Sequence, residues 1–267
     1  MGLKLFITAD IEGTCGASDF SETEVGKNSH LYMYLREQMT REVAAACEGA
    51  FDAGVDEVFV KDAHDDAMNI IPNMLPRKVL LHKNWSGDLL SMVSGLTEEF
   101  SGIGFTGYHS PAYSDASPLA HTMNGGIYEI IINGERISEF QMHAYAAGAL
   151  GVPILFLSGD RGICGIAEKF APGAITVATM YGMGGATVSI HPDEACERIR
   201  EGMREAVKRG GYKIKMPDTF DVRVQYRTCE KALRASFYPG AKRVDEKRVS
   251  FASDDYMEVM RAFKFIL

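Results

Sequence analysis

Three apolar segments of this chain end on acids or histidines. The first, "LFITADIEGTCG" (5–16), runs from Leu5 to Ala9 and then gives Asp10 and Glu12 before Gly13. The second, "DEVFVKD" (56–62), ends on Asp62 and is followed by Ala63 and His64. The third, "FSGIGFTGYH" (100–109), ends on Gly107, Tyr108 and His109. A carboxylate at the end of a buried segment is costly unless it is paired, protonated or bound to a metal. In extended chain, residues i and i+2 point to the same side, so Asp10 and Glu12 can aim at one point, as can Asp62 and His64. Carboxylate and imidazole together suit zinc or a similar first-row divalent ion. Two carboxylates can also bridge two metals about 3.5–4 Å apart. Taken alone, Asp62 reads as a cap of the turn that follows it, through an Asx hydrogen bond.

The elements that must place these groups follow from periodicity. Residues 3–10, 56–62, 100–109 and 152–160 read as strands. Residues 30–53 have helical spacing and end at Gly54, a helix-stop signal. Residues 87–96 read as a short helix, and 110–126, rich in Ser, Pro, Gly and Asn, as a loop. Residues 127–137 form a hairpin about Asn133-Gly134, and 138–151 a helix with Ser138 as N-cap. Strands alternating with helices imply an α/β fold with an open, doubly wound parallel sheet, to which open-sheet rules assign a ligand site beyond the strand carboxyl ends. From about residue 176 the pattern changes: "ATVSI", a charged helix at 193–209, "FDVRVQY", "KRVSFAS" and a helix at 254–265 read as a smaller α+β unit. The expected organisation is therefore a metal-site domain over 1–175 and a smaller domain over 176–267.

Composition removes other classes. The formal charge is −8, against a general nucleic-acid binder with its basic face. Apolar runs such as "VPILFLSG" are too short to span a bilayer, and no apolar h-region precedes Asp10. The five cysteines, Cys15, Cys47, Cys164, Cys196 and Cys229, are scattered and form no C-x-x-C pair, which implies a reducing compartment and a cytoplasmic location. Cys15 reads as a small packing residue. "GIGFTG" (102–107) matches G-x-G-x-x-G, but it lies within a strand and no helix follows it, so a dinucleotide site is rejected. "YGMGG" (181–185) is rejected on the same ground.

The motifs "ADIEG" (9–13), "DAHD" (62–65), "MVSGL" (92–96), "TGYHS" (106–110), "HTMNG" (121–125), "NGERISEFQMHAYAAG" (133–148) and "SGD" (158–160) together resemble, in order and spacing, the zinc-dependent D-aminopeptidases first found in a dipeptide-transport operon. The resemblance covers about 150 residues of the chain. It implies two zinc ions per subunit, with Asp10 bridging them and Glu12, His64, His109 and Glu139 as further ligands. It implies a catalytic role for His121 and hydrolysis of short peptides or amides at an N-terminal, preferably D-, residue. It also implies large ring-stacked homo-oligomers that enclose the active sites, a decamer among them. Two positions depart from the pattern: Ser110 stands where alanine is usual, and His143 where asparagine is expected. His143 is read as a hydrogen-bonding residue and Asp160 as a cap of the following turn.

Two other readings compete. A dinuclear metal phosphoesterase shares the ligand types but wants a cation for phosphate, for which Lys61 and Arg161 are the nearest candidates. A non-catalytic peptide-binding protein would not need this ligand set.

Overall fold

The computed structural model describes residues 2–267. The chain begins β1 (Lys4–Ala9), α1 (Phe20–Thr23), α2 (Ser29–Asp52), β2 (Glu57–Asp62), β3 (Val79–His82) and β4 (Gly102–Tyr108). It continues β5 (Ile127–Ile132), β6 (Glu135–Arg136), α3 (Glu139–Ala149), β7 (Ile154–Asp160), α4 (Arg161–Phe170), β8 (Ile175–Met183) and β9 (Ala186–Ser189). It closes with α5 (Pro192–Arg209), β10 (Phe220–Tyr226), α6 (Cys229–Ala235), β11 (Lys242–Arg243), β12 (Arg248–Ser253) and α7 (Tyr256–Ile266).

The larger sheet has seven strands in the order β3-β2-β1-β4-β7-β8-β9. All its neighbours pair in parallel except β8 with β9. Alternation along β1 sends Leu5 and Ile7 to one face, against Leu35, Met39 and Val43 of α2 and Ile199 and Met203 of α5. Phe6 points to the other face, where Phe105 and Leu157 meet Phe140 of α3, Ile163 of α4 and the second sheet. Both faces are thus covered, as a parallel sheet requires. β2 and β3 lie on one side of β1, and β4 and β7 on the other. The strand order therefore reverses between β1 and β4, and the crevice at such a reversal is where open α/β sheets bind ligands.

The second sheet is antiparallel, in the order β11-β12-β10-β5-β6. Its hairpin turns through Asn133 (φ 52°) and Gly134 (φ 86°), the left-handed pair expected of Asn-Gly. The two sheets are not divided at residue 176. β5 and β6 come from the first part of the chain and pair with β10, while β8 and β9 extend the large sheet to Ser189. The strand pairing is non-local, and local patterning carries no record of it. The helix expected over 87–96 is also absent. Only a single 3₁₀ turn forms, at Ser91–Val93. Ser91 has φ 52°, and Asp88 accepts hydrogen bonds from Ser86, Ser94 and the Leu90 amide, so side chains compete with a helical backbone. No helix among the described residues is long and apolar enough to cross a membrane.

Behind the large sheet, α2 buries a carboxylate. Glu42 accepts hydrogen bonds from the Cys15 amide (2.9 Å) and Gln38 Nε2 (3.0 Å), while its Oε2 has no partner. Burial pushes its pKa from 4.5 to about 7. A carboxyl raised on folding contributes stability below its unfolded pKa and loses it as pH rises through the folded one. The window here runs from 4.5 to about 7. Above it, ionised Glu42 costs as much as about 3 kcal/mol, at 1.36 kcal/mol per pKa unit. Glu42→Gln is therefore expected to gain thermal stability over the parent as pH rises from 5.5 to 8.5. A difference in Tm that stays constant over that range would refute it.

Candidate metal centre

Three strand ends converge at the reversal point. The Asp10 amide donates to Thr106 O (2.9 Å), the Ala63 amide to Ala9 O (2.8 Å) and the Gly13 amide to Gly107 O (2.8 Å). These bonds continue the sheet past its strands and fix the residues that follow. Gly107 has φ 69°, and a Cβ there would stand 2.1 Å from the Asp10 carbonyl oxygen. The register of β4 against β7 shifts over the same residues, so an irregularity re-aims His109 toward Asp10. The last glycine of "GIGFTG" therefore serves a close backbone approach, not a phosphate.

Glu139 arrives from elsewhere. It is the first residue of α3, whose start is fixed by a capping box between Ser138 and Gln141. Its Oε1 accepts from the Met123 amide at 2.6 Å, which ties the 110–126 loop to the helix.

The side chains form two donor groups, Asp10–Glu12–His64 and His109–His121–Glu139. Asp10 lies between them: Oδ1 is 3.3 Å from His64 Nδ1, and Oδ2 is 3.5 Å from His109 Nε2. Glu12 Oε2 is 3.1 Å from His64 Nδ1, and Glu139 Oε1 is 3.5 Å from His109 Nε2. His121 Nε2 stands 3.7 Å from Glu139 and 3.9 Å from Glu12, and its ring stacks on His109 with centroids 4.2 Å apart.

The hydrogen bonds of the three histidines fix what they present. His64 Nε2 meets Thr23 O (2.9 Å), His109 Nδ1 meets Ser110 O (3.0 Å) and His121 Nδ1 meets Leu119 O (2.9 Å). A carbonyl only accepts, so each of these nitrogens carries the proton. The opposite nitrogen of each ring then turns a lone pair toward the carboxylates. Lone pairs facing carboxylates repel unless a cation lies between them. In keeping with this, Asp10 Oδ2, Glu12 Oε2 and His109 Nε2 are buried without any hydrogen-bond partner. A backbone carbonyl behind a metal-binding imidazole is the usual arrangement for orienting it. The donor set thus fits divalent cations.

Where no metal lies between these groups, protons are the cations drawn into the gaps, and the titration of the cluster shows that pull. Burial and the neighbouring Glu12 push Asp10 above the usual carboxylate range. Burial would also raise Glu12 and Glu139, but His64 and His109 respectively outweigh it and hold both low. Burial would lower His64 and His109, yet Glu12 and Glu139 outweigh it and hold both high. Among the described residues, Asp10, Glu12 and Glu139 form ion pairs with histidines alone.

A cleft of about 530 Å³ opens over the cluster. Besides Asp10, Glu12, His64, His121 and Glu139, it is lined by Phe20, Trp85, Met92 and Met123, with Glu24, Lys27 and Asp65. These lie on loops or in one-turn elements without periodicity; Asp65, Met92 and Met123 fall inside the quoted motifs, and the sequence singled out none of the others. The Thr8 hydroxyl donates to Met92 O at 2.7 Å and pins that turn to β1. Phe20 meets His121 edge-on, with centroids 5.4 Å apart.

Other expected residues lie outside the cluster. Asp62 accepts from Asn69 Nδ2 (2.9 Å) and the Ile70 amide (2.7 Å), so it closes the far end of the 63–70 loop, not the adjacent turn. Asp160 is the N-cap of α4 through the Ile163 amide and also binds Ser110 through both its amide and its hydroxyl, each at 2.6 Å. The serine at 110 thus secures the residue after His109. His143 donates from Nδ1 to Glu139 O at 2.7 Å and takes no place in either donor group. Cys15 is buried, and its thiol donates to Ile190 O at 3.1 Å. Neither cation proposed for phosphate lines the cleft: Lys61 is buried under Trp85, and Arg161 stacks over Tyr181.

The family described as D-aminopeptidase matches residues 3–265. The chain is 30% identical over 268 residues to the curated D-aminopeptidase of Bacillus subtilis (strain 168), covering 97% of this chain and 95% of the relative. Among solved structures it is similar to the Zn-dependent D-aminopeptidase DppA from Bacillus subtilis, a self-compartmentalizing protease. The TM-score is 0.91 at 27% identity, with 99% of this chain and 96% of that one covered.

Proposed function

The chain belongs to the D-aminopeptidase family, and we propose on that premise that it removes N-terminal residues, D-residues preferred, from short peptides or amides at a pair of zinc ions. Asp10 would be shared by both ions, with Glu12 and His64 on one and His109 and Glu139 on the other. The observation that carries this reading is the placement of Asp10, with one oxygen facing each donor group and its Oδ2 buried without a partner. A bound pair supplies Lewis acidity toward the scissile carbonyl and water acidified to a pKa of about 7.

The chain's own residues supply the rest. Leu119 O holds the Nδ1 proton of His121, so Nε2 faces the cleft as a base. The side chain of His121 is 20% exposed, against 8% or less for the five proposed ligands, which leaves it free to pass a proton to a leaving amine. Glu24 and Lys27 pair with each other on the cleft rim at 2.7 Å, which leaves Asp65 as the rim carboxylate that favours a substrate arriving with a protonated α-amine.

Elemental analysis of the purified protein, joined to a screen of D- and L-amino-acid amides, tests the reading. Two zinc ions per chain with faster release from D-amides is the expected result. Absence of metal above background, or no turnover of any amide by metal-loaded protein, would overturn it. We further expect a homo-oligomer larger than a dimer, on the strength of the self-compartmentalizing relative. Light scattering that returns a monomer of 29.3 kDa at all working concentrations would refute this.

A further inference from the structure

The loop after β3 builds a rigid aromatic wall into the cleft. Lys61 of β2 is fully buried, and its ammonium donates to Asp62 O (2.6 Å) and Asn84 O (2.9 Å). The same ammonium lies over the ring of Trp85, 4.4 Å from its centroid. A buried lysine held by two carbonyls and an aromatic face is costly to build and serves to fix that face. The indole N–H donates to Asp65 O at 2.7 Å, directly beside His64. Asn84 completes the clamp, with Oδ1 accepting the Trp85 amide (2.7 Å) and its own amide donating to Ala67 O (2.7 Å). Asp65 and Asn84 both sit at positive φ, 48° and 66°, so the backbone is bent to make this arrangement. One ring face is thus taken by Lys61 and the N–H edge by Asp65. The remainder of the ring lines the cleft, where Trp85 is 38% exposed.

We propose that Trp85, held from behind by Lys61, is the wall against which the side chain of the substrate's first residue packs. The inference rests on the aminopeptidase reading. With His121 serving the leaving amine, the leaving residue lies on the His121 side of the cleft. The first residue then lies on the His64 side, where Trp85, Ala63 and Met92 supply apolar surface. Trp85 is a specificity-determining residue in this scheme, and Lys61 is a positioning residue.

Trp85 is the single tryptophan of the chain, so its emission reports on the wall without labelling. The test titrates the zinc-loaded protein with D-leucinol and D-alaninol, amino alcohols that lack a scissile bond, and follows tryptophan emission. A saturable change is expected with D-leucinol, and a smaller one with D-alaninol. In parallel, Trp85→Ala should lose kcat/KM on D-leucinamide roughly 10-fold more than on D-alaninamide, mainly through KM, as expected when pocket contacts to a few methylenes are removed. Lys61→Met should shift the same ratio in the same direction, and Trp85→Phe should restore most of it. Circular dichroism checks that each variant is folded. The proposal is overturned by unchanged emission at D-leucinol concentrations that inhibit turnover, or by equal losses on the two amides. If no amide is turned over, the aminopeptidase reading fails, while the emission titration still decides whether Trp85 forms the wall.

Discussion

Asp10→Ala is expected to empty both halves of the metal centre. Its carboxylate reaches toward both donor groups, 3.3 Å from His64 and 3.5 Å from His109, closer to the second group than Glu12, whose other oxygen is 3.9 Å from His121. Without it, each remaining set is short of a donor and the two sets lose their common member. Metal centres of this kind supply several kcal/mol of transition-state stabilisation, so turnover should fall roughly 10³-fold or more. His64→Ala and His109→Ala should each cost one ion in preference to the other, because each belongs to a single group. Elemental analysis of the three variants, with circular dichroism to confirm folding, separates these outcomes. Two ions per chain retained in Asp10→Ala would refute the shared-ligand arrangement.

His121→Ala is expected to cost roughly 10²–10⁴-fold in turnover, the usual range for a lost general acid or base. Metal content should stay at the parent level. The structure makes this a sharp test, because His121 also lies within reach of His109 and Glu139 and could serve as a donor there. The two roles differ in consequence. Loss of an ion together with activity would make His121 a ligand, and near-parent turnover would remove it from the chemistry. His143 is not an alternative, since it sits behind Glu139 and outside both donor groups.

The donor residues were legible in the sequence because four of the six, Asp10, Glu12, His64 and His109, sit one to three positions beyond a strand. There, an apolar run followed by acids or histidines is unusual, and the i, i+2 rule states which side chains share a side. The α/β pattern pointed to an open parallel sheet, but the order that makes β1 and β4 neighbours came only with the structure. Glu139 was legible only through resemblance, because nothing local distinguishes it from an acid in the first turn of a capped helix. Phe20 and Trp85 were not legible at all, and Met123 entered only as part of the "HTMNG" motif. Phe20 reaches the cleft from the one-turn α1, and Trp85 and Met123 from loop backbone at irregular angles, with a positive φ at Met123 itself and at Asn84 next to Trp85. The same holds for the division of the chain. β5 finds β10 across about 90 residues, and no local period encodes that pairing.

The six side chains of the cluster span residues 10 to 139 and come from both sides of the β5–β6 hairpin. No short stretch of unfolded chain can reproduce that set, so ligation is a property of the folded state alone. By mass action, a ligand that binds only the folded state raises stability by about 4.1 kcal/mol when free at 1,000 times its Kd. With the proposed zinc ions bound, the large sheet and the hairpin that leads into α3 would be tied to each other through the metal, and their stability would follow the zinc concentration of the surroundings.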